Sequence, residues 1–165
     1  MIKRRVFKIV SAVLLTLWMS CIFFFSSQPA KESNNLSGGV IERVVSAVYP
    51  GFSDMEEAEQ TDLVSSFQHV TRKTAHFSAY GLLGLLSFLT LISYRKPKFS
   101  VRCLISAGVC LLYAISDEIH QLFVPGRSGE VRDVLLDFSG ALTGILFCMA
   151  ITAFVKRRRA KKAAA

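Results

Sequence analysis

Four stretches of this chain are long and apolar enough to cross a bilayer, and that leaves few folds open. A hydrocarbon core of about 30 Å takes roughly 17–25 residues in helical form. The stretches fall at about residues 9–25, 74–94, 103–124 and 131–155. Lipid offers no partner to a free backbone amide, so each must be helical. Composition agrees where it matters. Mean hydropathy is +0.41, whereas a water-soluble domain needs a largely polar surface. The expected fold is an all-α membrane protein. It has four transmembrane helices in a single membrane domain over residues 1–165, with short amphipathic helices in the first outer loop.

The charges sort by side. Lys3, Arg4, Arg5 and Lys8 precede the first span. Arg95, Lys96, Lys98 and Arg102 join the second to the third. Lys156, Arg157, Arg158, Arg159, Lys161 and Lys162 follow the fourth. These groups hold 14 of the 20 basic residues and none of the 12 acids. The excess of Lys and Arg in short loops marks the cytoplasmic side, so both termini are expected in the cytoplasm of a multi-pass cell-membrane protein. Basic ends can meet anionic lipid heads, which explains the net charge of +8 without nucleic acid. The first apolar run is too long for a signal peptide, and Ser26-Ser27-Gln28-Pro29 is a poor cleavage site, so it reads as an uncleaved anchor. Cys21, Cys103, Cys110 and Cys148 lie in spans without ligand spacing and read as packing residues.

The outer segment, residues 26–73, carries two short helical patterns. Val40, Ile41, Val44, Val45 and Val48 share a face suited to the membrane surface. Pro50-Gly51 breaks that helix. Ser53 with Glu56 has capping-box spacing, and Leu63, Val64, Phe67 and Val70 continue a stripe into the second span. So little chain cannot bury a core of its own, and a lid or collar is expected.

Ionisable groups inside spans cost about 2.5–3.5 kcal/mol each on insertion scales, so they need a reason. Here they converge on the outer ends. At helical period, Lys73, His76, Tyr80, Gly84 and Ser87 fall within an arc of about 80°. Tyr113, Asp117, His120 and Gln121 fall within about 100°, with Glu118 about 60° beyond. Asp133, Asp137, Gly140 and Gly144 fall within about 60°. Gly140 and Gly144 form a small-xxx-small surface that admits a neighbouring helix. Such stripes must face one another or a wet cavity, and the alternative of an ion-pair network that only fixes helix packing is expensive.

The candidate catalytic groups are His76, Asp117, Glu118, His120, Asp133 and Asp137, with His120 or His76 to move a proton and Asp117 or Glu118 to orient it. Lys73, Tyr80, Gln121, Arg127, Ser128 and Arg132 are the candidate substrate-binding groups. The turn Pro125-Gly126-Arg127-Ser128-Gly129 presents a guanidinium and backbone amides, which suit a phosphate or carboxylate. His76 and His120 have the chemistry of acid/base groups or of metal ligands, and Asp117, Glu118, Asp133 and Asp137 have the oxygen chemistry for a divalent cation. However, Asp117-Glu118-Ile119-His120 lacks the second His of the zincin helix, so no residue is assigned as a metal ligand and no cofactor is named. Ser128 has no local base to make it a nucleophile.

Three stretches resemble the VanZ-like family: Ser26 to Pro29, Arg72 to Gly81, and Ser116 to Gly140. The family is named for a member associated with low-level teicoplanin resistance. The resemblance implies an integral membrane protein of the bacterial envelope. Its polar pocket at the outer face would meet membrane lipids and act on or bind a lipid-linked or peptidoglycan-precursor anion. The same residues fit a membrane enzyme, or a non-enzymatic binder or accessory subunit. Asp117, His120, Arg127 and Asp137 are expected to act as one unit, and the oligomeric state is left open.

Overall fold

The computed structural model describes residues 2–94 and 98–164, with side chains described outside residues 2–4, 30–37, 156 and 163–164. The side chains of Lys3, Arg4, Arg95, Lys96 and Lys156 lie outside the described residues. Among the described residues the fold is helical, with no strand. The helices are α1 (Ile2–Ser26), α2 (Ala30–Val48), α3 (Glu57–Ile92), α4 (Phe99–Gln121) and α5 (Val131–Ala164). Four of them, all but α2, are long and apolar enough to span a membrane.

The pattern of exposure is that of a bundle in lipid. Leu104, Leu112, Ile119, Leu135, Leu146 and Phe147 are each more than half exposed, while Ser87, Ser106, Asp117 and Asp137 are buried. In water that arrangement would be inside out. In a bilayer, apolar side chains can face outward freely and polar ones must find partners within.

The α3–α5 seam is the most extensive contact between helices. It is built from small residues. A Cβ on Gly140 would run into the Phe77 carbonyl, one on Gly144 into that of Gly81, and one on Gly84 into that of Ala141. The expected close approach is present, and its partner is α3. Two apolar clusters flank the seam. One joins Ile22, Tyr80, Leu83, Cys110, Ala114 and Ala141. The other, toward the basic end, joins Phe88, Ile145 and Cys148, with Cys103 packed beside it. Cys110 and Cys148 are buried and all four cysteines are free thiols.

The segment between the first two spans departs from the sequence reading in two ways. The second helical pattern does not form a separate short helix. It is continuous with the second span, giving α3 a length of 36 residues, or about 54 Å. The Ser53/Glu56 capping box does not form either. Ser53 sits in a 3-10 turn, Phe52–Asp54, and Glu56 itself is the N-cap of α3, without a side-chain bond. Burial of Phe52 ties the turn down and delays the start of α3. The Gln60 amide then caps the junction, donating to the carbonyls of Phe52 and Met55 at 3.0 Å each. Gly51 closes the α2–α3 connection with φ +80°, a conformation that favours glycine. α2 packs back on α3. Val45 is buried, while Val40, Val44 and Val48 remain exposed, because the stripe is wider than one helix can cover.

Candidate functional site

The polar residues of α3, α4 and α5 meet at the end of the bundle away from the basic segments. α3 supplies His76 and α5 supplies Asp137, with His76 Nδ1 3.6 Å from Asp137 Oδ2. α4 supplies Asp117, and ligand atoms of His76, Asp117 and Asp137 all lie within 4.8 Å of one another. Asp137 is fully buried and Asp117 almost so. Gln121, one turn along α4, donates its amide to Asp117 Oδ2 at 3.3 Å and to Ser26 Oγ at 3.0 Å. That leaves Asp117 Oδ1 without a hydrogen bond among the described residues. Both Asp137 oxygens and the Tyr80 hydroxyl are in the same condition.

The other acids have partners. Asp133 pairs with the Lys73 ammonium in the first turn of α5, where a negative charge also complements the helix dipole. Glu118 accepts the Glu130 backbone N–H at 2.9 Å, which pins the return loop to the end of α4. In that loop Gly126 has φ +76°. A Cβ on Gly129 would collide with Leu122 and the Glu118 carbonyl.

Arg127 reaches back to α1. Its Nε donates to the Gln28 carbonyl at 2.9 Å and an Nη to that of Phe25 at 3.4 Å, giving partners to carbonyls at the C-terminal end of that helix. Burial, with nearby Arg72, holds the Arg127 guanidinium below its usual value. Arg72 itself makes no hydrogen bond or ion pair among the described residues. Two neighbouring cations of this kind favour an anion between them.

Two cavities share this region. A polar one of about 150 Å³ is walled by Arg72, Lys73, His76, Arg127, Asp133 and Asp137, with Gln121 and Ser128 also on its lining. An apolar cleft of about 300 Å³ runs between α1 and α3, lined by Trp18, Ile22, Phe25, Ile41, Ala79 and Tyr80. Arg72, His76 and Arg127 line both.

A family model described as VanZ/LLP1 matches residues 11–154. The chain belongs to the VanZ/LLP1 family. That range takes in all three stretches of resemblance and every residue of the cluster. No curated protein and no solved structure matches this VanZ/LLP1 chain.

The structure thus brings His76, Asp117, Asp137, Lys73, Asp133, Gln121, Arg127 and Ser128 to one place and sets others apart. His120 turns to α1, with Nε2 3.1 Å from Ser27 Oγ and its ring 4.5 Å from that of Phe23. Glu118 holds the loop. Tyr80 belongs to the cleft, and Arg132 is exposed and off both linings. His69 and Arg72 line the polar cavity, yet the sequence reading did not select them. His69 falls inside the arc of Lys73 and His76 when that arc is carried one turn toward the N-terminus, and Arg72 lies about 40° beyond its edge. Trp18 has no such signal.

Proposed function

We propose that this VanZ/LLP1 membrane protein binds an amphiphile with an anionic head, of the class of lipid-linked envelope precursors, at the outer membrane face. The observation that carries this reading is the sharing of Arg72, His76 and Arg127 by a polar cavity and an apolar cleft. A phosphate or pyrophosphate head fits beside the two guanidiniums, and a hydrocarbon chain fits along Trp18, Ile22 and Phe25. The cavity lies opposite the basic ends, which supports an extracytoplasmic position by the excess of Lys and Arg on the inner side. Impermeant thiol reagent on whole cells should label Ser53→Cys in a cysteine-free background and not Ala160→Cys. The reverse pattern would place the cavity in the cytoplasm.

Trp18 is the single tryptophan. Its indole N–H donates to the Ala79 carbonyl at 2.9 Å, so its fluorescence reports on the cleft. Titration with a polyprenyl phosphate should change that fluorescence saturably, and Arg72→Gln should weaken the affinity roughly 10- to 100-fold, as for loss of a charge-assisted contact. Equal affinity for the uncharged polyprenol would overturn the reading. The same variant, compared with wild type for teicoplanin susceptibility of the cells, tests the link to envelope precursors.

A chemical step on the head group is the second reading, favoured by the His76–Asp137 contact beside the guanidiniums. There a water would attack the phosphorus, the P–O bond to the polyprenyl chain would break, and His76, its ring oriented by Asp137, would take the water's proton and pass one to the departing alcohol. Release of inorganic phosphate from the polyprenyl phosphate, lost in His76→Gln, is its test.

A further inference from the structure

We propose that His76, Asp117 and Asp137 form a divalent-cation site on the inner wall of the polar cavity. It goes beyond the lipid-binding reading and stands on separate observations. Three helices supply one imidazole and two carboxylates, with ligand atoms within 4.8 Å of one another. A cation about 2.0–2.2 Å from each would draw them to roughly 3–3.5 Å apart, a movement within reach of side-chain torsions. Asp117 is 2% exposed and Asp137 0% exposed. Three of their four oxygens have no hydrogen-bond partner among the described residues. Two such carboxylates side by side repel, and burial removes the water that would screen them.

The neighbouring cations do not relieve this. Lys73 is committed to Asp133, and Arg127 to the carbonyls at the end of α1. Pairing a charged His76 with Asp137 Oδ2 would still leave Asp117 Oδ1 and Asp137 Oδ1 bare. A dication cancels both carboxylate charges and uses the bare oxygens directly. The contact from Gln121 to Asp117 Oδ2 is the kind of outer hydrogen bond that orients a metal-ligating carboxylate. An imidazole with two carboxylates suits Mn²⁺ or Zn²⁺ better than Ca²⁺. His76 and Asp137 line the cavity, so open coordination positions face Arg72 and Arg127, where an anion would sit.

The test uses the full chain in detergent, stripped with chelator and titrated with Mn²⁺ alone, following loss of the free-ion electron paramagnetic resonance signal. Saturation at one Mn²⁺ per chain is expected. Asp117→Asn and Asp137→Asn should each weaken binding by about 100-fold, the upper end for disturbing such a site. His120→Gln should leave it unchanged. Pulsed resonance on the wild-type protein should show nitrogen modulation from an imidazole, lost in His76→Gln. The wild-type spectrum keeps the test decisive if an aspartate variant fails to fold. Absence of saturable binding, unchanged affinity in the folded aspartate variants, or bound Mn²⁺ without nitrogen modulation would each overturn the site. Lipid titration in chelator is read separately, so failure of one proposal does not decide the other.

Discussion

The α3–α5 seam and the packing of α1 on the bundle are built on different principles. Along α3–α5 the backbones touch through Gly84, Gly140 and Gly144, and the Lys73–Asp133 ion pair and the His76–Asp137 contact sit at one end of the seam. α1 is held by hydrogen bonds from single side chains, all but the one from Arg127 between uncharged groups or a histidine ring. These are Trp18 to Ala79, Tyr113 to Met19, Gln121 to Ser26, the Ser27–His120 contact, and Arg127 at its end. The cleft lies on the α1 side. Costly charges are therefore concentrated where the backbone is least able to move, and the helix that borders the cleft is held by interactions that exchange one at a time. Dispersion and close approach fix the first interface, because no hydrophobic force drives helices together in lipid.

The contrast breaks most readily at the seam. Gly144→Leu puts a side chain where the Gly81 carbonyl already is. Overpacking of this kind costs at least about 1–3 kcal/mol, and here the obstacle is backbone. Folded yield in detergent should collapse, while Ile145→Leu, at a buried but ordinary packing position, should retain it. Equal yields would mean the two interfaces are alike after all.

Two of the three histidines, His76 and His120, give the next largest difference. His76→Gln should abolish ligand binding, measured by Trp18 fluorescence, with little loss of folded protein. His120→Gln should keep binding and lower the melting temperature by a few degrees, for a hydrogen bond worth about 0.5–1.5 kcal/mol. Equal loss of binding in both would return His120 to the site. The smallest effect is expected at α1. Tyr113→Phe removes a 2.6 Å bond to the Met19 carbonyl, worth about 0.5–1.5 kcal/mol, and should lower the melting temperature by about 2–4 °C per kcal/mol. An increased rate of Trp18 response to ligand would accompany it if α1 gives way at the cleft.

How much could be read from residues alone follows the same division. Helical period places Asp133, Asp137, Gly140 and Gly144 on one face, and that face does meet α3, because burial in lipid demands a single polar stripe. The period gives a direction around one helix but no partner across the gap. Asp117 and His120 share an arc of α4, yet Asp117 faces α5 and His120 faces α1, a separation set by where α1 packs. The α1 wall of the cleft was not legible, though His76, Tyr80 and Arg127 on its other side were. That wall is formed by Trp18, Ile22 and Phe25 among others, apolar residues in a largely apolar helix, so no periodic signal distinguishes the inward ones. The capping box failed for a local reason, since Phe52 anchors a turn that the spacing of Ser53 and Glu56 cannot reveal.

The cleft between α1 and α3 has a consequence for how affinity is expressed. Cys21 and Phe25 on its lining are exposed on the bundle's apolar flank. A chain-bearing ligand that enters there approaches within the plane of the bilayer and never crosses water. Occupancy then depends on the ligand's mole fraction among the surrounding lipids, and its encounter rate on two-dimensional diffusion. A dissociation constant in molar units taken in micelles will drift with the amount of detergent, which dilutes the ligand in the only phase it shares with the protein.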